Sequence, residues 1–255
     1  IRLLEKRLGL LLLTRTTRSI SLTQAGMQLF RAAESSFAKL DNELTMIEHF
    51  RDSPSGLVRI NASWHPIQTL LLPKLADFKQ RYPDIQIELI SENRFVDIVA
   101  EGFDAGIRFG STVAEGMIAV RISEDVKMAA VASPDYFHRQ GFPKTIRQLE
   151  QHNCIGYRLG GGGLYTWEFI ENGEVVKIKP QGQWIFNDDY PAIQAAKKGL
   201  GITYTPEDLV ADELENDRLI RIFTEQSYVF PGFHLYYPHR NVSPALRVVI
   251  DTLKL

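Results

Sequence analysis

Ile1, Leu4 and Leu8 recur at helical spacing and Gly9 follows, so the chain opens on the last turns of a helix closed by glycine. The apolar Leu11 to Leu13 and the alternating Ile20 and Leu22 flank Arg15-Thr16-Thr17-Arg18, a pattern that predicts a small hairpin with two arginines at its tip. Thr23 can cap a helix from about Gln24 to His49, in which Phe30, Ala33, Phe37, Leu40, Leu44 and Ile47 step by 3, 4, 3, 4 and 3. That heptad seam either rests on the body of the protein or meets a partner helix. Its a/d-only width suits the partner better, and self-association is expected.

The polar run Arg51-Asp52-Ser53-Pro54-Ser55-Gly56 marks a domain boundary. Beyond it, strand patterns at 57–62, 85–90 and 105–109 alternate with a helix at 66–81 and a short helix at 96–101, which favours a parallel sheet with right-handed crossovers. Strands are then expected at 128–133 and 154–157, helices at 135–139 and 146–151, a loop at Gly160 to Gly163, and a hairpin turning at Glu171-Asn172-Gly173-Glu174. A helix at 190–198, a strand at 201–204, a helix at 207–214, strands at 219–223 and 233–237, and a helix at 244–253 complete an α/β chain.

Composition narrows the class. With 255 residues, 44% hydrophobic and 24% charged, the chain is long enough for a real core and excludes disordered, collagen-like and disulfide-framework proteins. The lone Cys154 and an apolar run too short for a secretory or spanning segment point to a reducing cytoplasm and no membrane role. The opening at Ile1, without Met and already helical, reads as a fragment lacking its beginning. Arg2, Lys6, Arg7, Arg15 and Arg18 face only Glu5 within the first twenty residues, a charge of +4 in a chain whose net charge is -2. A basic end on an acidic body suggests an anionic polymer as its partner, against the plainer reading of a solvated helix face.

Catalytic signatures are missing. His49, His65, His138, His152, His234 and His239 form neither a zinc-hydrolase pair nor a Cys/His cluster, and there is no nucleophile elbow, Walker loop or dinucleotide fingerprint. No metal and no cofactor are expected. The four glycines at 160–163 fit a flexible crossing or a pocket rim, and Cys154 is either a buried apolar thiol or a redox sensor.

The run Ile1-Arg2-x-Leu4-Glu5-x-x-Leu8-Gly9, then Leu12-Leu13-x-Arg15-x-x-Arg18 and Leu22-Thr23-x-Ala25-Gly26, resembles the second half of the winged helix-turn-helix of LysR-type transcriptional regulators. Pro73-x-Leu75-x-x-Phe78-x-x-Arg81-Tyr82-Pro83, the run from Asp97 to Gly110, Asn187-Asp188, Gly199-Leu200-Gly201-Ile202 and Tyr237-Pro238 with Ser243-Pro244-Ala245-Leu246-Arg247 are similar to the effector domain of that family. The resemblance implies a partial winged helix-turn-helix at 1–22, a linker and dimerisation helix at 23–52, and a two-lobed effector domain of the type 2 periplasmic-binding-protein fold at 57–255. Its lobes would be 57–131 with 234–255, and 132–233. It further implies a bacterial regulator that catalyses no reaction, binds double-stranded promoter DNA and a small-molecule effector, and assembles as a homodimer or homotetramer.

On this reading Arg2, Lys6 and Arg7 lie near the major groove, and Arg15 and Arg18 suit phosphates or an A·T-rich minor groove. An organic acid or polar aromatic effector would lie between the lobes, its anionic end on Ser63 and adjacent backbone N–H groups, with Trp64, His65 and Phe109 as walls. Arg94, Gly110, Ser133, Asn187 and Asp188, with Glu92, would face the same cleft. Ser63 serves equally as a plain helix cap, and Arg94 and Arg108 equally as carboxylate ligands or members of structural ion pairs. The alternatives are a free-standing solute receptor of the same two-lobed fold, against which the basic head, the heptad helix and the missing signal peptide argue, and a two-lobed transferase, for which no reactive cluster is assembled.

Overall fold

The computed structural model describes residues 1–15, 20–52, 54–113 and 116–255, with side chains described outside residue 15, residues 41–52 and residue 111. The chain divides into two compact units, Ile1–Ser53 and Pro54–Leu255.

In the first unit, helix α1 (Arg2–Leu8) ends at Gly9 in the left-handed conformation. Strands β1 (Leu13–Arg15) and β2 (Ile20–Leu22) pair antiparallel, with Leu13 opposite Leu22, as the hairpin pattern predicts. Glu5 joins helix to hairpin by accepting the backbone N–H groups of Leu12 at 2.8 Å and Leu13 at 3.0 Å. Helix α2 (Gln24–Asp52) starts under Thr23, whose hydroxyl accepts from Gly26 N–H at 3.0 Å and donates to the Leu11 carbonyl at 2.7 Å. Gly26 is required here because any Cβ would collide with the Leu12 carbonyl oxygen. On α2, Phe30, Phe37 and Leu40 are exposed and Ala33 is half-buried, while the side chains of Leu44 and Ile47 lie outside the described residues.

The second unit holds a five-stranded and a four-stranded sheet, each with its own core, and two further two-stranded sheets among the described residues. Strand β3 (Gly56–Ala62) leads into a continuous helical rod: α3 (Trp64–Pro66), a π-helical turn (Ile67–Leu71), α4 (Leu72–Lys74) and, after a break, α5 (Phe78–Arg81). The expected helix 66–81 is therefore segmented, and it starts two residues early because Pro66 is tolerated in a first turn. Strands β4 (Ile85–Ser91) and β5 (Ala105–Phe109) both lie parallel to β3. The expected helix at 96–101 is only a turn, in which the Asp97 carboxylate accepts Val99 N–H at 3.0 Å and Ala100 N–H at 3.1 Å.

Beyond β6 (Ile118–Arg121) the chain crosses to the second sheet. There β7 (Val126–Ala132) is followed by α6 (Pro134–Gln140), a 3-10 turn (Ile146–Gln151), β8 (Gly156–Tyr157), the hairpin β9 (Trp167–Glu171) and β10 (Glu174–Ile178), and β11 (Ile185–Phe186). Helix α7 (Asp189–Lys197), β12 (Thr203–Pro206), α8 (Ala211–Glu215), β13 (Ile220–Ile222) and β14 (Val229–Phe230) follow. Strand β15 (Phe233–Tyr237) and α9 (Pro244–Leu253) return to the first sheet.

The first sheet has the order β4-β3-β5-β15-β6, with β15 antiparallel to both neighbours, so the expected parallel sheet becomes mixed where the chain comes back from the second lobe. Its core joins Val58, Ile60, Ile107 and Leu235 to Leu71 of the π turn and Leu246, Val249, Ile250 and Leu253 of α9, a face of helical period. The second core gathers Met128, Trp167, Phe169, Ile202 and Tyr204. Strand β7 pairs with β12, β13 and β14, so residues 126–131, expected in the first lobe, belong to the second sheet. The pairing partners decide membership there, and a hydrophobic pattern alone does not reveal them.

Gly26→Ala should lift the hairpin off α2 and destabilise the first unit by about 1–3 kcal/mol. All three tryptophans lie in the second unit. In a urea titration the helical circular dichroism should therefore lose an early component while tryptophan fluorescence keeps its midpoint.

Candidate functional site

Contacts of His65, Trp64, Asn93 and Phe109 are among those through which the lobes meet. His65, at the start of the rod, is 3% exposed; its Nε2 lies 2.8 Å from Asp208 Oδ2, and its ring packs edge-on to Phe233 at 5.0 Å. Trp64 meets Tyr190 of α7 at 5.5 Å between ring centroids. Asn93 donates to the Asn187 carbonyl at 2.6 Å, and Phe109 at the end of β5 stacks on Phe230 of β14 at 5.2 Å. Trp64, His65, Phe109, Asn187 and Asp188 thus come together at the lobe-lobe contact, as expected of residues that follow strand ends or open helices.

Beside these contacts lies a cavity of about 640 Å³. Glu92, Asn93 and Arg94 form one wall; Asn187 and Asp188, with Arg158, Leu159 and Gly160, form the other. Gly160 touches the Arg94 backbone so closely that a Cβ would collide with its Cα, which makes the glycine run a pocket rim. Arg158 was not among the expected site residues, although its place two residues before that run was a usable signal.

Other expected residues do different work. Arg108 is buried, and its guanidinium donates to the carbonyls of Ile107 at 2.7 Å, Arg94 at 2.9 Å and Glu92 at 3.1 Å, and to Asn61 Oδ1 at 2.6 Å. It forms no ion pair among the described residues; it holds the cavity wall by its backbone, and burial lowers its pKa. Arg94 instead pairs with Glu92 and, at 3.5 Å, with Glu101. Ser63 is half-buried at the start of α3, and its hydroxyl makes no capping bond. Gly110 donates to the Gly232 carbonyl at 3.1 Å and lies where the chain returns between lobes. Ser133 departs from expectation: it caps α6 by accepting Tyr136 N–H at 3.3 Å and sits by Gly199, at the far end of α7 from Asp188. The same strand-to-helix turn recurs at both ends of a lobe, so the local pattern does not say which end faces the cleft.

Electrostatics sharpen this picture. Burial pushes the Asp189 carboxyl up to about 6, against the charge of His65 and a hydrogen bond from Thr205 Oγ1 at 3.2 Å. Burial also acts against the Asp208 carboxylate, yet the hydrogen bond and charge of His65 hold it below its ordinary value. Cys154 is buried, donates to the Leu149 carbonyl and is pushed up to about 12, so it is a packed thiol rather than a reactive thiolate. Among the described residues no His, Cys, Asp and Glu side chains gather to hold a metal ion, and no helix is long and apolar enough to cross a membrane.

In the first unit, Arg2, Lys6 and Arg7 are exposed on α1. The side chain of Arg15 and all of Arg18 lie outside the described residues. A helix with exposed cations, in one chain with a two-lobed α/β domain that has an open cavity between its lobes, defines a class of ligand-responsive binding proteins.

The chain belongs to the LysR family: residues 51–254 match the model of the LysR substrate binding domain. A Pseudomonas aeruginosa protein named for transcriptional regulation is 45% identical over 98% of this chain and 83% of its own length. The HTH-type transcriptional regulator PgrR of Escherichia coli is 38% identical over 100% of this chain and 86% of its own. Among solved structures, the full-length Vibrio cholerae virulence activator AphB is similar with a TM-score of 0.72 and 28% identity, covering 99% of this chain and 86% of that one. CrgA, a LysR-type transcriptional regulator from Neisseria meningitidis, follows with 0.69 and 29% over the same shares.

Two substitutions test the cleft chemistry. The native state holds the Asp189 proton more tightly than an unfolded aspartate of pKa 3.8, so this group costs stability progressively as pH rises from about 4 to about 6. Asp189→Asn should stabilise the protein by about 2–3 kcal/mol at pH 7.5 but by only about 1 kcal/mol at pH 4.5, read from melting curves at the two pH values. Asp208→Ala should cost about 1–3 kcal/mol in urea denaturation at neutral pH, because it leaves the buried His65 Nε2 without its partner.

Proposed function

We propose that this LysR-family protein is a DNA-binding transcriptional regulator, controlled by a small molecule held between its two α/β lobes, that catalyses no reaction. The observation that carries this reading is the cavity of about 640 Å³ between two lobes that already grip each other through His65, Trp64, Asn93 and Phe109. A ligand that binds one lobe arrangement better than another shifts their populations, and that shift is the signal a regulator needs. The same fold would serve a free solute receptor, but the exposed cations of α1 and the exposed seam of α2 favour a protein that meets nucleic acid and its own copy.

In this reading Arg2, Lys6, Arg7, Arg15 and Arg18 meet promoter DNA, chiefly its phosphates. The effector contacts Arg94, Asn187 and Asp188 in the cavity, and Ser63, Trp64, His65 and Phe109 report its presence by repacking. Phe30, Phe37 and Leu40, with Leu44, pair with a second copy, and the protein works in the cytoplasm.

Arg15→Ala and Arg18→Ala in the full-length protein should weaken binding to every DNA sequence and flatten its salt dependence by about one unit for each lost phosphate contact. Fluorescence anisotropy across salt concentrations decides this, and an unchanged slope refutes the assignment. Leu40→Lys with Leu44→Lys should give monomers in sedimentation.

A further inference from the structure

We infer that the inter-lobe cavity takes a dipolar ligand, with an anionic group on Arg158 and an ammonium group on Asp188, as in a free amino acid or short peptide. The inference rests on the effector reading and narrows it to one chemical class. Four charged side chains line the cavity: Glu92, Arg94, Arg158 and Asp188. Glu92 and Arg94 neutralise each other, and Arg94 also reaches Glu101, so that pair is occupied. Arg158 donates to the Gly162 carbonyl at 2.8 Å and has no carboxylate partner among the described residues. Asp188 accepts Tyr190 N–H at 2.9 Å and Asn93 Nδ2 at 3.5 Å and has no cationic partner among them.

These opposite charges belong to one wall. Arg158 N–H donates to the Phe186 carbonyl at 2.7 Å, which sets the two backbones side by side, yet the side chains form no ion pair. A ligand with one charge would meet one of them and leave the other to solvent, since Arg158 is exposed and Asp188 is half-buried. A dipolar ligand makes a charge-assisted contact at each end, and the contact that a singly charged counterpart lacks is the source of selectivity. Asp189 adds negative field beside Asp188, and its raised pKa reports that field in part. The ammonium end therefore belongs at the start of α7. Leu159, Ile185 and Phe186 supply apolar wall for the remainder of the molecule, and the cavity volume lies within the range of small-molecule sites.

The test is a melting-temperature screen of the full-length protein with the common amino acids and simple dipeptides, each beside its deaminated and decarboxylated counterpart. At least one dipolar compound should raise the melting temperature, and its singly charged counterparts should bind about tenfold or more weakly. Arg158→Gln and Asp188→Asn should each weaken the dipolar compound by a similar factor; asparagine still caps α7, so folding survives. Singly charged counterparts that bind as tightly as their parent overturn the dipolar assignment. A singly charged compound that binds, while no dipolar one does, overturns it and leaves the effector reading standing. Silence from the whole panel counts against both.

Discussion

The chain passes from one sheet to the other between β6 and β7 and returns between β14 and β15, and the cleft is the consequence of those two passages. Each is anchored by backbone. Ile122 N–H donates to the Phe233 carbonyl at 2.9 Å, Met128 N–H to the Tyr228 carbonyl at 2.9 Å, and Gly232 N–H to Asp125 Oδ1 at 3.2 Å. Lys74 adds a clamp from the helical rod, reaching the Ile122 carbonyl at 3.0 Å and the Leu253 carbonyl at 2.8 Å. Because two paired segments join the lobes, relative motion is confined to bending about them, and side chains beyond the crossings are what open or close. The polar and aromatic contacts of His65, Trp64, Asn93 and Phe109 all occupy that region.

Those contacts differ in kind, and the difference decides what they can transmit. Phe109 stacks on both Phe230 and Phe233, so it binds the first sheet to the return passage by apolar area, without a charge to switch. His65 and Asp208 form a directed bond that is lost if the lobes part, with Asp189 close enough to feel the His65 charge. A buried imidazole separated from its carboxylate is expensive, so this pair favours two discrete arrangements over a continuum. Arg108 plays the opposite part. Its guanidinium places its bonds on carbonyls within the first lobe, which ties the Glu92 to Arg94 wall to that lobe alone.

Periodicity exposed the elements whose burial has one face. The rod after β3, helix α9 and the β9–β10 hairpin were legible because their apolar positions repeat at 3.6 or 2 residues or because Glu171-Asn172-Gly173-Glu174 marks a turn. Strands β6, β11 and β14 were not, since each is short and exposed on at least one face. The segment 96–101 opens as a helix does, under the Asp97 cap, but it ends after one turn at Gly102, whose φ of 70° is left-handed. At the cleft, strand ends pointed to Trp64, His65 and Phe109. Asp208 escaped because it earns its place through His65, a partner distant in sequence; Arg158 stands near the glycine run, but the pairing of its backbone with Phe186 that sets it on the cavity wall is not visible locally. Ser133 was misplaced for the same reason.

Function follows from the energy scale of these parts. One hydrogen bond between lobes contributes about 0.5–1.5 kcal/mol, or about 1.5–3 kcal/mol when a charge is involved, and a useful coupling between two sites is about 1–3 kcal/mol. A ligand that strengthens or breaks a single contact such as His65 with Asp208 therefore supplies enough free energy to regulate. A cavity bordered by a few tunable contacts, rather than by an extensive fused interface, is what this requirement selects. The contacts of His65, Trp64 and Asn93 can each be removed by one substitution without dismantling either core, because those residues belong to neither cluster, whereas Phe109 and Phe230 pack against the cores.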